Sequence, residues 1–170
     1  TNTSLEDRVV FVMVDGFLDT QGSFALNVEL GPIPQGGTCA NADELTMPAN
    51  VTGSTLGFGS SLIPHSSCTG YTNDGQEHVY RVEIPANTTL RANVYPVGSW
   101  DPSLYVLPGP AANCDAQPLV CLVGTNQSDT NMISFANTSA SPRTVFVVVD
   151  HAYGDGGARS EEHTSELQSL

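Results

Sequence analysis

The amino-acid sequence predicts an all-β protein, an antiparallel β-sandwich with few or no helices. Several short segments alternate apolar and polar residues, which is the period of a half-buried strand, and Gly, Pro, Asn and Ser residues separate them. No segment of ten or more residues has apolar side chains at the 3.6-residue period of an amphipathic helix. Many short strands divided by turn residues are typical of two packed antiparallel sheets.

One strand sequence occurs twice, at a constant offset of 135 residues. Residues 143–150 read RTVFVVVD, and residues 8–15 read RVVFVMVD. The similarity continues on both sides, so that ten positions of residues 1–23 are identical in residues 136–158. Self-similarity at a fixed offset indicates an array of similar domains.

The repeat divides the chain into three parts. Residues 1–31 are predicted to be the C-terminal hairpin of a preceding repeat, and residues 32–158 a second sandwich that lacks its last strand. A stretch rich in Gly and Pro at 31–37 marks the boundary. In residues 159–170 the alternation expected from the repeat stops, and this peptide resembles a translated sequencing adapter. We therefore expect a non-native, disordered tail; the alternative is a genuine polar terminal segment.

The predicted strands differ in how much of their surface they bury. Residues 143–149 form a continuous apolar run, typical of a strand covered on both faces, whereas residues 24–30 are apolar at alternate positions only. The predicted strands are 8–14, 24–30, 51–57, 78–84, 90–95, 103–107, 119–123, 132–136 and 143–149. A sandwich without its last strand has open edges. We hypothesise that residues 24–30 fill that vacancy; the alternative is that they pack end-on as the remnant of the preceding domain.

The composition excludes several classes of partner. The net charge is −13, and the sequence contains no lysine. Nucleic acids and anionic membranes bind proteins through Lys and Arg, so neither is an expected partner. No apolar run reaches the 18 residues that a membrane-spanning helix needs. An acidic sequence rich in Gly, Ser, Thr and Asn suits a secreted protein.

Four cysteines, Cys39, Cys68, Cys114 and Cys121, allow three disulfide pairings. We favour the most local one, Cys39–Cys68 with Cys114–Cys121. A zinc site is the competing interpretation, but such sites usually contain two cysteines two to four residues apart, and no pair here has that spacing. Disulfides indicate an oxidising compartment.

Four segments carry a resemblance to a known family. Residues 79–86 read VYRVEIPA, residues 90–94 read LRANV, residues 100–106 read WDPSLYV, and residues 145–150 read VFVVVD. In this order they resemble the bacterial pre-peptidase C-terminal domain, in the cysteine-containing form that is repeated in large secreted proteins. The resemblance covers residues 39–158. It implies a jelly-roll-like β-sandwich that serves secreted proteases and other exported enzymes as an accessory module.

Motifs for catalysis are missing from the sequence. The serine-containing segments 53–57 and 59–61 do not read Gly-x-Ser-x-Gly, the turn that presents a nucleophilic serine in many hydrolases. The histidines do not form the His-Glu-x-x-His pair of zinc proteases. We therefore expect a protein that is not an enzyme.

Calcium is the cofactor for which the sequence offers candidate ligands, although we expect no obligatory cofactor. Asp74, Asp101, Asp150 and Asp155 lie in predicted loops or at predicted strand ends, and carboxylate oxygens are the ligands that Ca²⁺ prefers. The resembled family includes members that bind calcium. The alternative is that each Asp side chain closes a turn by accepting a local backbone hydrogen bond.

Trp100 is the candidate residue for ligand binding. Together with Tyr71, Tyr95 and Tyr153 it offers aromatic surface on which a glycan could stack. The alternative is that these side chains are half-buried core residues whose polar ends reach solvent.

The sequence therefore predicts a non-catalytic extracellular repeat that acts as a spacer, adhesion or substrate-targeting module of a larger secreted bacterial protein. The alternative is a carbohydrate- or protein-binding accessory module of an exported hydrolase or protease. The expected partners are neighbouring repeats of the same polypeptide and an extracellular polysaccharide or protein. The expected location is the medium or the bacterial cell surface.

Overall fold

A computed structural model describes residues 9–15, 22–28, 30–97, 100–127, 130–151 and 164–169. These residues form nine strands and three helices of a single turn. The strands are β1 (Asp43–Leu45), β2 (Asn50–Ser54), β3 (His78–Ile84), β4 (Thr88–Val97), β5 (Pro102–Pro108), β6 (Val123–Asn126), β7 (Asn131–Asn137), β8 (Arg143–His151) and β9 (Thr164–Ser169). The helices are a 3-10 turn (Cys39–Asn41), α1 (Ser66–Thr69) and α2 (Ala111–Cys114).

The strands form two sheets, which confirms the predicted β-sandwich with few helices. The five-stranded sheet has the order β1-β3-β8-β5-β6, and the four-stranded sheet the order β2-β9-β4-β7. The neighbours in both sheets run antiparallel except β1 and β3, which are parallel. Among the described residues, no helix is long and apolar enough to cross a membrane.

The main core lies between the sheets and is built by alternate residues of their strands. From β8, Val145, Val147 and Val149 point into this core, where they meet Val94 of β4 and Ile133 of β7. The alternation of apolar residues in β3 and β4 follows from this packing, since only one face of each strand contributes to the inner core.

A second apolar layer covers the outer face of the five-stranded sheet. Phe146 and Val148 of β8 point outward and pack with Tyr105 and Leu107 of β5. They also pack with Leu62 from residues 59–62, which we call the covering loop. Both faces of β8 are therefore buried, as its continuous apolar run predicts.

Two disulfides hold this outer layer, and the favoured local pairing is wrong. Cys39 is bonded to Cys114, and Cys68 to Cys121. The packing of the helices decides the pairing. The 3-10 turn lies beside α2, and α1 lies across β6, where a Cβ atom on Gly124 would come within 2.7 Å of the Cys68 sulfur. Sequence proximity carries no information about these contacts, because each one joins distant parts of the chain.

The predicted hairpin of the preceding repeat is not formed by the described residues. Residues 9–15, 22–28 and 30 have no regular secondary structure, and their large apolar side chains are exposed. A strand needs a neighbour for its backbone N–H and C=O groups, and none of the nine strands pairs with these segments. The domain boundary at residue 31 stays a prediction. The predicted strand 119–123 is also displaced, because Cys121 and the loop before it join the outer layer and β6 begins at Val123.

The end of the chain differs from the disordered tail that the sequence predicts. Residues 164–169 form β9, which lies between β2 and β4 and runs antiparallel to both. A gap between two strands leaves backbone groups without partners on both sides, so an extended segment of almost any composition gains hydrogen bonds there. The hypothesis that residues 24–30 occupy this position is not what the structure shows, since β9 is there instead.

Candidate functional site: a buried carboxyl pair

Two carboxylic acids lie buried on the outer face of the five-stranded sheet. Glu77 directly precedes β3, and Asp150 is near the end of β8. Because β3 and β8 are antiparallel, with His78 opposite Val149, these two ends meet at the same edge of the sheet. Both side chains are fully buried. Buried acids without a basic partner are rare, so this pair is the first candidate for a functional site.

Glu77 ties the covering loop to the sheet. Its Oε1 atom accepts hydrogen bonds from the backbone N–H of Ser61 (2.6 Å), the Ser61 hydroxyl (3.0 Å) and the backbone N–H of Leu62 (3.0 Å). Its Oε2 atom is buried and has no hydrogen-bond partner among the described residues. Burial raises the pKa of Glu77 from 4.5 to about 7, although these hydrogen bonds act in the opposite direction.

Asp150 is bonded to a tyrosine that bridges to the same loop. Asp150 Oδ1 accepts the backbone N–H of His151 at 2.6 Å, and the Tyr105 hydroxyl lies 2.9 Å from Asp150 Oδ2 and 3.0 Å from the Leu62 carbonyl oxygen. One hydroxyl proton serves only one of these two acceptors. Both contacts are hydrogen bonds if Asp150 is protonated and donates to the tyrosine oxygen while Tyr105 donates to Leu62.

Electrostatics favour that protonated form. Burial, and then the negative charge of Glu77, raise the pKa of Asp150 well above its usual range, while the bond from Tyr105 lowers it. Asp74 adds a smaller increase. Burial raises the pKa of Tyr105 well above 10, and the negative charges of Asp150 and Glu77 raise it further. The ionisable groups that interact in this cluster are thus carboxylic acids and a phenol. Protonation of a carboxyl group is the simplest way to remove its buried negative charge.

The structure places three of the four calcium candidates at one end of the five-stranded sheet, but among the described residues they do not gather around one ion. Asp74 precedes β3, Asp101 precedes β5 and Asp150 ends β8, so all three are at the same end of the sheet. Among the described residues, the one set of three His, Cys, Asp or Glu side chains close enough to share an ion is Cys39, Cys114 and Asp115. Its two sulfurs form a disulfide and are not available as thiolates.

The structure describes the surroundings of Asp101 but not those of Asp155. Asp101 has one buried oxygen, Oδ1, without a hydrogen-bond partner among the described residues, and burial raises its pKa while His151 lowers it. Asp155 lies outside the described residues.

Trp100 cannot serve as the aromatic platform that the sequence suggests. Its side chain is 5% exposed and belongs to the core between the sheets, with its ring 6.1 Å from the ring of His151. A buried ring offers no face to a glycan, so this prediction is wrong for Trp100. Tyr71 and Tyr95 are exposed, and Tyr153 lies outside the described residues.

His78 is held in a structural role. Its Nε2 atom lies 2.7 Å from Asp43 Oδ2, its Nδ1 atom 3.3 Å from the Ser54 carbonyl oxygen, and its ring is stacked between Phe58 and Tyr80. Each ring nitrogen already faces a partner, and both ring faces are covered. The contacts fasten β1 and the end of β2 to β3.

Sequence reasoning selected Asp150 but missed the residues that complete its site. Glu77, Tyr105 and the backbone of Ser61 and Leu62 were not among the candidates. One signal was available: alternation along β3 places Glu77 on the same face as the buried Val79. The loop that meets Glu77 comes from a Ser- and Gly-rich segment whose path has no periodicity from which to predict it.

These features define a disulfide-linked β-sandwich with a buried acidic cluster under its outer layer. No family model and no curated protein matches the chain. Among solved structures, it is similar to the pre-peptidase C-terminal domain of collagenase from Bacillus anthracis, with 13% sequence identity and a TM-score of 0.47. The match covers 84% of this chain and 100% of that one.

Proposed function

We propose that this chain is a non-catalytic extracellular module of a larger secreted bacterial protein, in which it acts as a spacer, adhesion or substrate-targeting domain. The observation that carries the proposal is the outer layer, which is built around two disulfides. Cys39 and Cys114 are buried within it, among Leu62, Phe146 and other apolar side chains. Disulfides of this kind persist in oxidising compartments, which supports a location outside the cytoplasm.

The chemistry of the described residues supports a non-catalytic role. A general base must reach a substrate with a free lone pair. His78 is enclosed on both faces, and Glu77 and Asp150 are fully buried under the covering loop. Side chains in these positions hold the covering loop and the strand ends together and have no access to a substrate in this conformation.

A comparison of compartments tests the extracellular assignment. The chain is produced with and without a secretion signal in the same bacterial host, and its free thiols and melting temperature are measured. We expect the secreted form to have no free thiols and a sharp unfolding transition, and the cytoplasmic form to have free thiols and a lower melting temperature. Equal melting temperatures, with four free thiols in the cytoplasmic form, would count against the proposal.

A carbohydrate- or protein-binding module is the second candidate, and exposed side chains on the four-stranded sheet favour it. Arg91 and Tyr95 of β4 and Met132 of β7 are exposed on the strands of this sheet. Exposed aromatic, Arg and Met side chains are enriched at binding surfaces.

Pull-down on insoluble polysaccharides and fibrous proteins separates the two candidates. Retention that Tyr95→Ala abolishes, and that Tyr71→Ala preserves, would assign the binding role to the four-stranded sheet. Both tyrosines are exposed, and Tyr71 lies outside the strands, so it is the matched control. A spacer is expected to show no retention on any of these materials.

A further inference from the structure

The position of β9 between β2 and β4 is a slot that faces the main core. Val94 of β4 is fully buried in that core, and Val51 of β2 packs against it. In the register of the sheet, Val51 and Val94 both lie opposite Leu167 of β9. An occupant of this slot therefore contributes every second side chain to the core, and apolar residues at alternate positions fit it best.

The present occupant has a sequence poorly matched to that requirement. Residues 164–169 read TSELQS, with Leu167 the one apolar residue. Because strand residues alternate between two faces, a sequence with one apolar residue in six offers the core at most one apolar residue.

A second segment of the chain has the missing pattern. Residues 24–30 read FALNVEL, with Phe24, Leu26, Val28 and Leu30 at alternate positions. These four side chains are exposed to solvent in the structure. The repeat adds an independent observation: residues 24–30 follow the earlier copy of β8 along the chain, as β9 follows β8 itself.

We propose that residues 24–30 are an alternative strand for the position of β9, so that two segments of one chain compete for a single slot. Val28 would lie opposite Val51 and Val94, where Leu167 lies in the structure. Leu26 and Leu30 would then face the core on either side of it. The exchange gives up a mostly polar strand and buries apolar side chains that are otherwise exposed, and burial of apolar area favours it.

The connection to β1 is long enough for this exchange. Gly36 contacts the His78 ring, whose Nδ1 atom lies 3.3 Å from the carbonyl oxygen of Ser54, so Gly36 sits near the Ser54 end of β2. In the proposed register, Leu30 lies one residue beyond the other end, about 16 Å away along the strand. Six residue steps from Leu30 to Gly36 span up to about 20 Å when extended. The donor segment therefore reaches the slot of its own chain.

Paired proline substitutions in the full chain test the competition. Proline removes the backbone N–H, and an interior strand uses these groups on both sides. One variant blocks β9 (Glu166→Pro with Gln168→Pro), one blocks the donor segment (Leu26→Pro with Val28→Pro), and a third carries both pairs. The matched control adds Val10→Pro with Val12→Pro to the β9 block, because residues 9–15 are equally exposed and apolar but lie in no proposed slot.

The expected result is strong non-additivity of the melting temperature. Each block alone lowers it by less than about 3 °C, because the other segment supplies the strand, and the two together lower it by about 10 °C or more. The control pair causes no further change. The proposal is overturned if the β9 block alone gives the whole loss and the donor block adds nothing. It is equally overturned if the β9 block makes the protein dimeric by light scattering, since the strand then comes from a second copy.

Discussion

Residues 9–15 and residues 144–150 are two copies of one strand sequence, identical at five of seven positions, and they have opposite environments. Phe146 is 1% exposed and packs in the outer layer, whereas its counterpart Phe11 is 91% exposed. The later copy is the central strand β8, with β3 on one side and β5 on the other. The earlier copy pairs with no strand among the described residues. A β-prone sequence is therefore not enough to make a strand, because neighbours must supply both the hydrogen bonds and the apolar contacts.

The largest expected effect comes from placing one charge in each copy. Val147 is fully buried and faces the core, and its counterpart at the offset of 135 is the exposed Val12. We expect Val147→Asp to cost more than about 5 kcal/mol, because a carboxylate in that core has no partner, and to unfold the domain. Val12→Asp is expected to change the free energy of unfolding by less than about 0.5 kcal/mol. Urea titration followed by circular dichroism measures both.

A comparable loss for Val12→Asp would show that the earlier copy is paired in solution. Val147→Ile serves as the control for substitution at the buried site, since it keeps the side chain apolar and adds a single methylene. Its cost is expected to be about 1–3 kcal/mol, from overpacking alone.

Removal of a disulfide is expected to have the next largest effect, because the outer layer covers one face of β8 and no such layer covers residues 9–15. Replacing Cys39 and Cys114 together by Ser removes the link between the 3-10 turn and α2. The expected cost is about 2–5 kcal/mol, typical of a native disulfide that closes a long loop. The midpoint of urea unfolding with and without reductant measures it.

The reductant provides an internal comparison for this prediction. Reduced wild type loses both disulfides, so it must be at least as destabilised as the Cys39→Ser, Cys114→Ser variant. An oxidised variant as stable as wild type would mean that packing holds the outer layer without this covalent link.

The pH dependence of stability is expected to come from the buried pair, Glu77 and Asp150. Both folded-state pKa values are raised, so the folded domain binds more protons than the unfolded chain above pH 4.5. The stabilisation is complete below that pH and is lost as pH rises through about 7, the folded pKa of Glu77. The expected loss between pH 5 and pH 8 is on the order of 2–3 kcal/mol.

Neutral variants sharpen this prediction. Asp150→Asn retains a donor for the Tyr105 oxygen and an acceptor for the His151 N–H, and Glu77→Gln retains the Oε1 acceptor. Each is expected to flatten the profile of melting temperature against pH. Asp15→Asn is the matched control, because Asp15 is the counterpart of Asp150 in the earlier copy. A profile that flattens with Asp15→Asn, or that rises between pH 5 and pH 8 in wild type, would contradict the assignment.

The two copies also show which features the sequence could predict. The strands β3, β4 and β7 follow from alternation and turn residues, and β5 and β8 from short apolar runs between turns, because local sequence determines which faces of each strand are apolar. Local sequence does not predict the disulfide pairing, because the pairing depends on the contact of α1 with β6 and of the 3-10 turn with α2. The Glu77–Asp150 pair required the path of residues 59–62, a segment without periodicity. The exposure of residues 9–15 required knowing that no strand lies beside them.

The smallest expected effect on stability concerns the exposed earlier copy itself. Phe11→Ser is expected to change the melting temperature by less than about 2 °C, because the side chain makes little contact with the sandwich. It is expected to reduce self-association at high protein concentration, since an exposed run of Val, Phe and Met without charges is a typical site for strand pairing between molecules. Light scattering against concentration measures this, with Tyr71→Ser as the control for loss of an exposed aromatic ring elsewhere. Equal self-association of wild type and Phe11→Ser would mean that residues 9–15 are shielded despite their exposure, and would remove the contrast between the two copies.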